Sequence, residues 1–170
     1  MIFYLFACNG ITADESQTLF DALYQPVYDL RDQWMEESSP EEAIEFERTQ
    51  GSNWEGSITI SGIREDYEST EHYTLNAQFS QVYVTKGDLF LDGTISVYME
   101  FQIDATDNQS YEQSIALEDD LVVSGDIAGK AMLNYTLFET YQARDNITNT
   151  TTSGTISGHD VSSYLQGSTQ

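Results

Sequence analysis

Hydrophobic positions divide the chain into a helical first third and a strand-rich remainder. Thr12 and Glu15 have the spacing of a capping box, and apolar residues then recur every three or four positions: Leu19, Phe20, Leu23, Tyr24, Val27, Leu30 and Trp34. This stripe predicts an amphipathic helix of about 20 residues. Pro26 lies within it and has no backbone N–H to donate, so we expect a kink or a break near Gln25.

A second helix start is predicted at residues 39–42. Ser39 can cap the helix, Pro40 suits the first helical position, and Glu42 can reach back to the cap. We therefore expect a short helix that ends near Arg48, just before Gly51. Residues 9–51 are predicted to form a helical N-terminal segment.

From Trp54 onward, alternation of apolar and polar residues replaces the helical period. In residues 89–103 every second position is apolar or glycine: Leu89, Leu91, Gly93, Ile95, Val97, Met99, Phe101 and Ile103. Such alternation is typical of antiparallel strands with one buried face. Residues 52–170 are predicted to be mainly β, an antiparallel meander sheet or partly closed β-barrel of about six to eight strands. We expect the helical segment to pack on this sheet as part of one globular unit.

Turn residues separate the predicted strands at 86–88, 104–110, 118–120, 145–152 and 158–160. A short pattern of glycine, a small or acidic residue, isoleucine and a small residue recurs, starting at Gly56, Gly93, Gly125 and Gly154. We expect these glycines to mark places where a strand bends or a neighbouring backbone comes close.

The only cysteine, Cys8, ends a short uncharged apolar stretch, and the chain beyond it is polar and acidic. Its last four residues resemble the lipobox of bacterial lipoprotein precursors: Leu5, Phe6, Ala7 and Cys8. The resemblance implies that residues 1–8 are a truncated signal and that Cys8 becomes acylated. The protein would then be an extracytoplasmic lipoprotein, anchored in a membrane of the bacterial cell envelope. The alternative is an N-terminal strand over residues 2–7, with a buried cysteine after it.

The chain is strongly acidic, with 29 Asp and Glu against six Lys and Arg and a formal net charge of −23. Nucleic acid is excluded as a partner class, because phosphate binding needs clustered positive charge and the six cations are scattered. An anionic membrane surface is disfavoured for the same reason, so membrane attachment must come through a lipid. Salt screens the self-repulsion of such a chain, which predicts a marine or halotolerant source.

Few residues suggest catalysis or a cofactor. The two histidines lack the spacing of a zinc site, and the chain has neither a nucleophile elbow nor a phosphate loop. Acidic residues are so numerous that their spacing does not identify a glycosidase pair. Two predicted acidic turns offer oxygen ligands for a weak calcium site: Asp104, Asp107, Glu118, Asp119 and Asp120. We predict no cofactor and no enzymatic activity.

Two of the eleven tyrosines, Tyr83 and Tyr98, are candidates for binding a ligand. If they pair across a hairpin, they form an exposed aromatic platform suited to saccharides or peptides. The leading hypothesis is therefore a lipid-anchored, non-enzymatic binding or surface-structural module.

Two alternatives stay open. A lipocalin-like carrier would hold a small apolar molecule in a barrel lined by Ile95, Val97, Met99, Leu133 and Leu137. A helix that fills the concave face of the sheet would count against it. A hydrolase would need a cleft with two acidic side chains in desolvated surroundings.

Overall fold

The computed structural model describes residues 10–51, 53–165 and 167–169 of the chain. In these residues one helix precedes nine strands: α1 (Ala13–Glu37), β1 (Ala43–Gln50), β2 (Trp54–Tyr67), β3 (Thr70–Val84), β4 (Leu89–Ile103), β5 (Tyr111–Gly125), β6 (Gly129–Gln142), β7 (Ile147–Ile156), β8 (His159–Asp160) and β9 (Gly167–Thr169). Strands β1 to β8 lie in sequence order in one antiparallel sheet, and β9 pairs with β7 on the same edge as β8. The predicted meander with a helix packed on it is confirmed. The sheet is not closed into a barrel.

The capping box at the start of α1 is confirmed. The Glu15 backbone N–H donates to Thr12 Oγ1 at 3.3 Å, and the Thr12 backbone N–H donates to Glu15 Oε2 at 2.7 Å. The helix runs unbroken through Pro26, so the predicted break is absent. Pro26 is buried, and packing of the apolar stripe on both sides of it outweighs the missing backbone hydrogen bond.

The predicted second helix is wrong, because most of that segment forms the edge strand β1. Glu41 adopts a left-handed φ of 63°, and its N–H donates to Arg64 O at 2.9 Å, which sets the chain alongside β2. Ile44 is then buried and Phe46 packs partly against the core. Pairing along β2 therefore prevails over the local helix-start signal.

Two predicted turns are also strand. Residues 118–120 lie inside β5, and residues 147–152 belong to β7, where β-branched threonines suit an extended backbone. The expected close approach at the four repeated glycines is confirmed, since an added Cβ at each would lie 3.2 Å or less from the backbone oxygen of another segment. At Gly56, where φ is 124° and the β2–β3 register shifts, an added Cβ would lie 2.6 Å from Gln81 O.

Helix α1 fills the concave face of the sheet. Its apolar stripe and the inward residues of the strands form one buried cluster, and the Trp34 indole N–H donates to Met99 Sδ at 3.3 Å. All five residues predicted to line a carrier cavity belong to this cluster and are at most 2% exposed. The helix thus occupies the space that a carrier would need to keep open.

We call the two ends of the sheet proximal and distal, and α1 runs from the first toward the second. The N-terminal half of α1 lies at the proximal end, which holds the β3–β4, β5–β6 and β7–β8 turns; there Lys86 Nζ is 3.1 Å from Asp21 Oδ2. The C-terminal half points to the distal end, which holds the β2–β3, β4–β5 and β6–β7 turns. There the hydroxyl of Ser38, the residue after α1, donates to the Tyr73 hydroxyl.

Within the described residues, no helix combines the length and apolarity that a membrane span needs.

Candidate functional site

A buried carboxylate lies beneath the distal end of α1. Glu139 is 7% exposed, accepts three hydrogen bonds and lies beside one guanidinium. Its Oε1 accepts from the Tyr111 hydroxyl at 2.7 Å and from Gln113 Nε2 at 2.8 Å. Its Oε2 accepts from the Tyr28 hydroxyl at 2.9 Å, and Arg31 Nη1 lies 3.6 Å from Oε1. We call these five residues the Glu139 network.

The Glu139 network ties α1 to β5 and β6. The Arg31 guanidinium lies 4.6 Å from the centre of the Tyr28 ring, a geometry suited to cation–π attraction. It also forms an ion pair with Asp32 at 2.7 Å. Burial opposes the charge of Arg31, but the hydrogen bond to Asp32 and the nearby carboxylates raise its pKa. Burial, reinforced by the bond to Glu139, raises the pKa of Tyr111 to about 12. Burial likewise raises the pKa of Tyr28, so both phenols remain donors at neutral pH.

The distal cleft opens beside this network, between the β4–β5 and β6–β7 turns, and encloses about 720 Å³. The Tyr111 and Tyr141 rings lie 5.4 Å apart at 33°. Both hydroxyls are held, that of Tyr111 by Glu139 and that of Tyr141 by Asn146 Oδ1 at 3.3 Å. The rest of the lining is mostly polar: Gln102, Asp104, Ala105, Ser110, Glu112, Thr140, Gln142, Arg144 and Asp145. The volume falls within the range of small-molecule sites.

The β4–β5 turn forms one wall of the distal cleft, and its predicted calcium ligands serve the turn itself. Asp107 Oδ1 accepts from the backbone N–H groups of Gln109 and Ser110, at 2.9 and 2.7 Å. Asp104 Oδ1 accepts from the Thr106 backbone N–H at 2.7 Å. Hydrogen bonds from the Thr106 and Ser110 hydroxyls, together with these backbone bonds, lower the pKa of both carboxyl groups.

The other predicted calcium ligands lie elsewhere on β5. Glu118, Asp119 and Asp120 are inside the strand, and Asp119 Oδ2 accepts from the Ser96 hydroxyl at 2.6 Å, while Asp120 pairs with Lys130. The structure therefore does not bring the five acids together. Among the described residues, no group of three or more His, Cys, Asp or Glu is placed to hold a metal ion.

The predicted pairing of Tyr83 with Tyr98 is wrong. Tyr83 pairs with Phe90, with ring centres 5.1 Å apart, whereas Tyr98 pairs with Thr74. Eight residues separate positions 90 and 98 of β4, or about 26 Å along the strand. Tyr98 is 44% exposed on the convex face, as expected from its place in the alternation. The predicted acylation site, Cys8, lies outside the described residues.

The concave face does not present two desolvated acids. Glu139 is the one buried carboxylate in the described part of the chain. Glu71 and Asp66 both pair with Arg64 on strands β2 and β3, but their side chains are 28% and 36% exposed. Phe101 and Gln113 lie between Glu71 and Glu139 in the ladder, which separates these two acids by about 14 Å along the sheet. Paired glycosidase carboxylates are about 5–9.5 Å apart.

The Glu139 network escaped prediction, although the sequence carries a signal for it. Glu139 continues the inward register of β6 after Leu133, Tyr135 and Leu137, and Gln113 precedes Ile115 in the inward register of β5. A polar residue in an apolar register must find partners in the core.

The chain matches no protein-family model, no curated protein and no solved structure.

Proposed function

We propose that the protein is a lipid-anchored, extracytoplasmic binding module of the bacterial cell envelope that holds a saccharide in its distal cleft without converting it. The observation that carries this proposal is the pair of fixed tyrosines, Tyr111 and Tyr141, in the distal cleft of about 720 Å³.

The lining of the distal cleft suits a neutral, polyhydroxylated ligand. Tyrosine rings offer apolar faces to the C–H groups of a sugar ring. Gln102, Gln142 and Arg144 offer amide and guanidinium donors to its hydroxyl groups, and Glu112 offers an acceptor. Because the Glu139 network fixes Tyr111 before a ligand arrives, little conformational entropy is lost on binding.

The state of Glu139 supports binding rather than catalysis. Both of its oxygens already accept donors from Tyr28, Tyr111 and Gln113, and Arg31 lies against it. A general acid or base must instead reach the substrate within hydrogen-bond distance. Glu139 is suited to positioning the aromatic lining.

The direction of α1 supports an anchor at Cys8. Gly10 is two positions after Cys8, which is a reach of about 7 Å. The 25-residue helix then carries the chain about 37 Å toward the distal end. An acyl chain on Cys8 would therefore hold the proximal end near the membrane and leave the distal cleft facing away from it.

A glycan panel tests the binding proposal. We expect the folded domain to bind a defined subset of neutral glycans, and Tyr141→Ala to weaken that binding at least tenfold because half of the aromatic lining is lost. Tyr67→Ala is the matched control, since Tyr67 is an exposed tyrosine on β2 outside the cleft. Absence of any glycan ligand, or equal affinity of Tyr141→Ala and the wild type, would refute the saccharide site.

Membrane partitioning tests the anchor separately. The full chain, expressed in bacteria with a complete signal sequence, should fractionate with membranes, and Cys8→Ser should release it to the soluble fraction. Unchanged partitioning of Cys8→Ser would remove the anchor from the proposal and leave the distal cleft unaffected.

A further inference from the structure

A shallow groove lies on the convex face, over β5. Its floor is Ser114, whose ladder neighbours are Glu100 on β4 and Phe138 on β6. Glu112 lies two positions along β5 on the same face. The groove encloses about 240 Å³, roughly the size of one long side chain. Phe138 is 44% exposed, so an apolar ring faces solvent in the wall of the groove.

The charges around the groove have one sign. Glu100 and Glu112 lie on two sides of Ser114, with Cα atoms about 8 Å apart from the strand geometry. Glu100 is 65% exposed at its side chain, and its Oε1 lies 3.4 Å from His72 Nδ1. Five of the six lysines and arginines of the chain are engaged by other residues: Arg31, Arg48, Arg64, Lys86 and Lys130. None of these five lines the groove.

This geometry fits a cationic side chain. A guanidinium is planar, stacks on an aromatic face and bonds carboxylates on its edge. Phe138 supplies the face, while Glu100 and Glu112 supply the acceptors. The net charge of −23 would also attract a basic partner over a longer range, with a strength that falls as salt is added. A ligand carrying negative charge would be repelled.

We propose that the convex groove docks an arginine-containing basic segment of a partner protein, with one arginine lying on Phe138 between Glu100 and Glu112. The groove adjoins the saccharide site and shares Glu112 with it, whereas Phe138 and Glu100 belong to the groove alone. Gln102, Glu112 and Thr140 form the rim between the two.

Fluorescence anisotropy with a labelled peptide of alternating arginine and glycine tests the proposal at about 0.15 M salt. The same peptide with citrulline in place of arginine keeps the shape and removes the charge. We expect the arginine peptide to bind and the citrulline peptide to bind at least tenfold more weakly. Phe138→Ser should weaken arginine-peptide binding about tenfold, and Glu100→Gln about fivefold.

Matched control variants distinguish specific binding in the groove from diffuse electrostatic attraction to the acidic surface. Glu36→Gln, at the exposed end of α1, removes the same charge as Glu100→Gln, and Met132→Ser removes an exposed apolar residue of the convex face outside the groove. Both should keep the wild-type affinity within twofold. Equal losses in Glu100→Gln and Glu36→Gln would show diffuse electrostatic attraction and overturn the proposal. So would equal binding of the citrulline peptide, or no binding of either peptide.

Discussion

Replacing Glu139 by glutamine removes the charge from the network while keeping its shape. One oxygen remains to accept from Tyr111 and Gln113, but the new amide N–H₂ faces the Tyr28 hydroxyl. Arg31 loses a carboxylate at 3.6 Å and keeps Asp32 at 2.7 Å, so it is not left unpaired.

The expected cost follows from these contacts. A hydrogen bond to a charged group contributes about 1.5–3 kcal/mol, and a neutral one about 0.5–1.5 kcal/mol. Three hydrogen bonds to Glu139 are weakened by roughly 1 kcal/mol each, and Arg31 keeps its ion pair with Asp32. The free energy of unfolding should therefore fall by about 2–3 kcal/mol. With a urea slope of about 2 kcal/mol per molar, the unfolding midpoint should fall by about 1 M.

Urea unfolding followed by tryptophan fluorescence measures this loss, because Trp34 and Trp54 are both buried. Glu118→Gln is the matched control, since it removes the same charge from an exposed position and should change stability by less than about 0.5 kcal/mol. A double-mutant cycle with Tyr28→Phe should show coupling of at least about 0.5 kcal/mol. If Glu139→Gln is as stable as Glu118→Gln, or more stable, the network does not hold the helix to the sheet.

Three further predictions test other parts of the structure. Gly56→Ala should lower the free energy of unfolding by at least about 2 kcal/mol, because the backbone is left-handed there and Gln81 O blocks a Cβ. Gly10→Ala is the control and should leave stability unchanged, because Gly10 lies in open space. Equal stability of the two variants would contradict the close approach at Gly56. In alkaline titration the unfolded chain should release its phenolic protons near pH 10, while native Tyr111 keeps its proton until about pH 12. The native state therefore binds more protons in this window and stability should fall as pH rises from 10 to 12, a result that simultaneous titration of all tyrosines near pH 10 would exclude. Sodium chloride should raise Tm by screening the net charge, and calcium at equal ionic strength should raise it no further, because the Asp104 oxygens already serve their turn; an extra rise with calcium would restore the predicted calcium site.

Elements with a long periodic pattern were predictable from the sequence. The stripe from Leu19 to Trp34 defines α1, and the alternation in residues 89–103 defines β4, because each repeats its period several times. The segment around Ile44 was not, since a local helix-start signal competes there with a strand pattern of only two apolar residues. The long-range contact of Glu41 with Arg64 decides between them.

The candidate site was much less predictable than the fold. The partners of Glu139 come from α1 and β5, 26 to 111 positions away in the sequence, so no local spacing joins them. Tyr83 and Tyr98 were given the wrong partners because the pairing of two strands depends on turn position and on the register shift between Phe79 and Val82. A polar residue within an apolar register is the signal that sequence reasoning could have used.

The most direct test of a saccharide-binding distal cleft is a titration of the isotopically labelled domain, followed by amide NMR, with the glycan that binds most tightly in the panel. We expect the largest shifts in residues 102–112 and 140–146, around Tyr111 and Tyr141, and no change in the proximal turns. Shifts centred on the proximal turns or on the outer surface of α1 would contradict it.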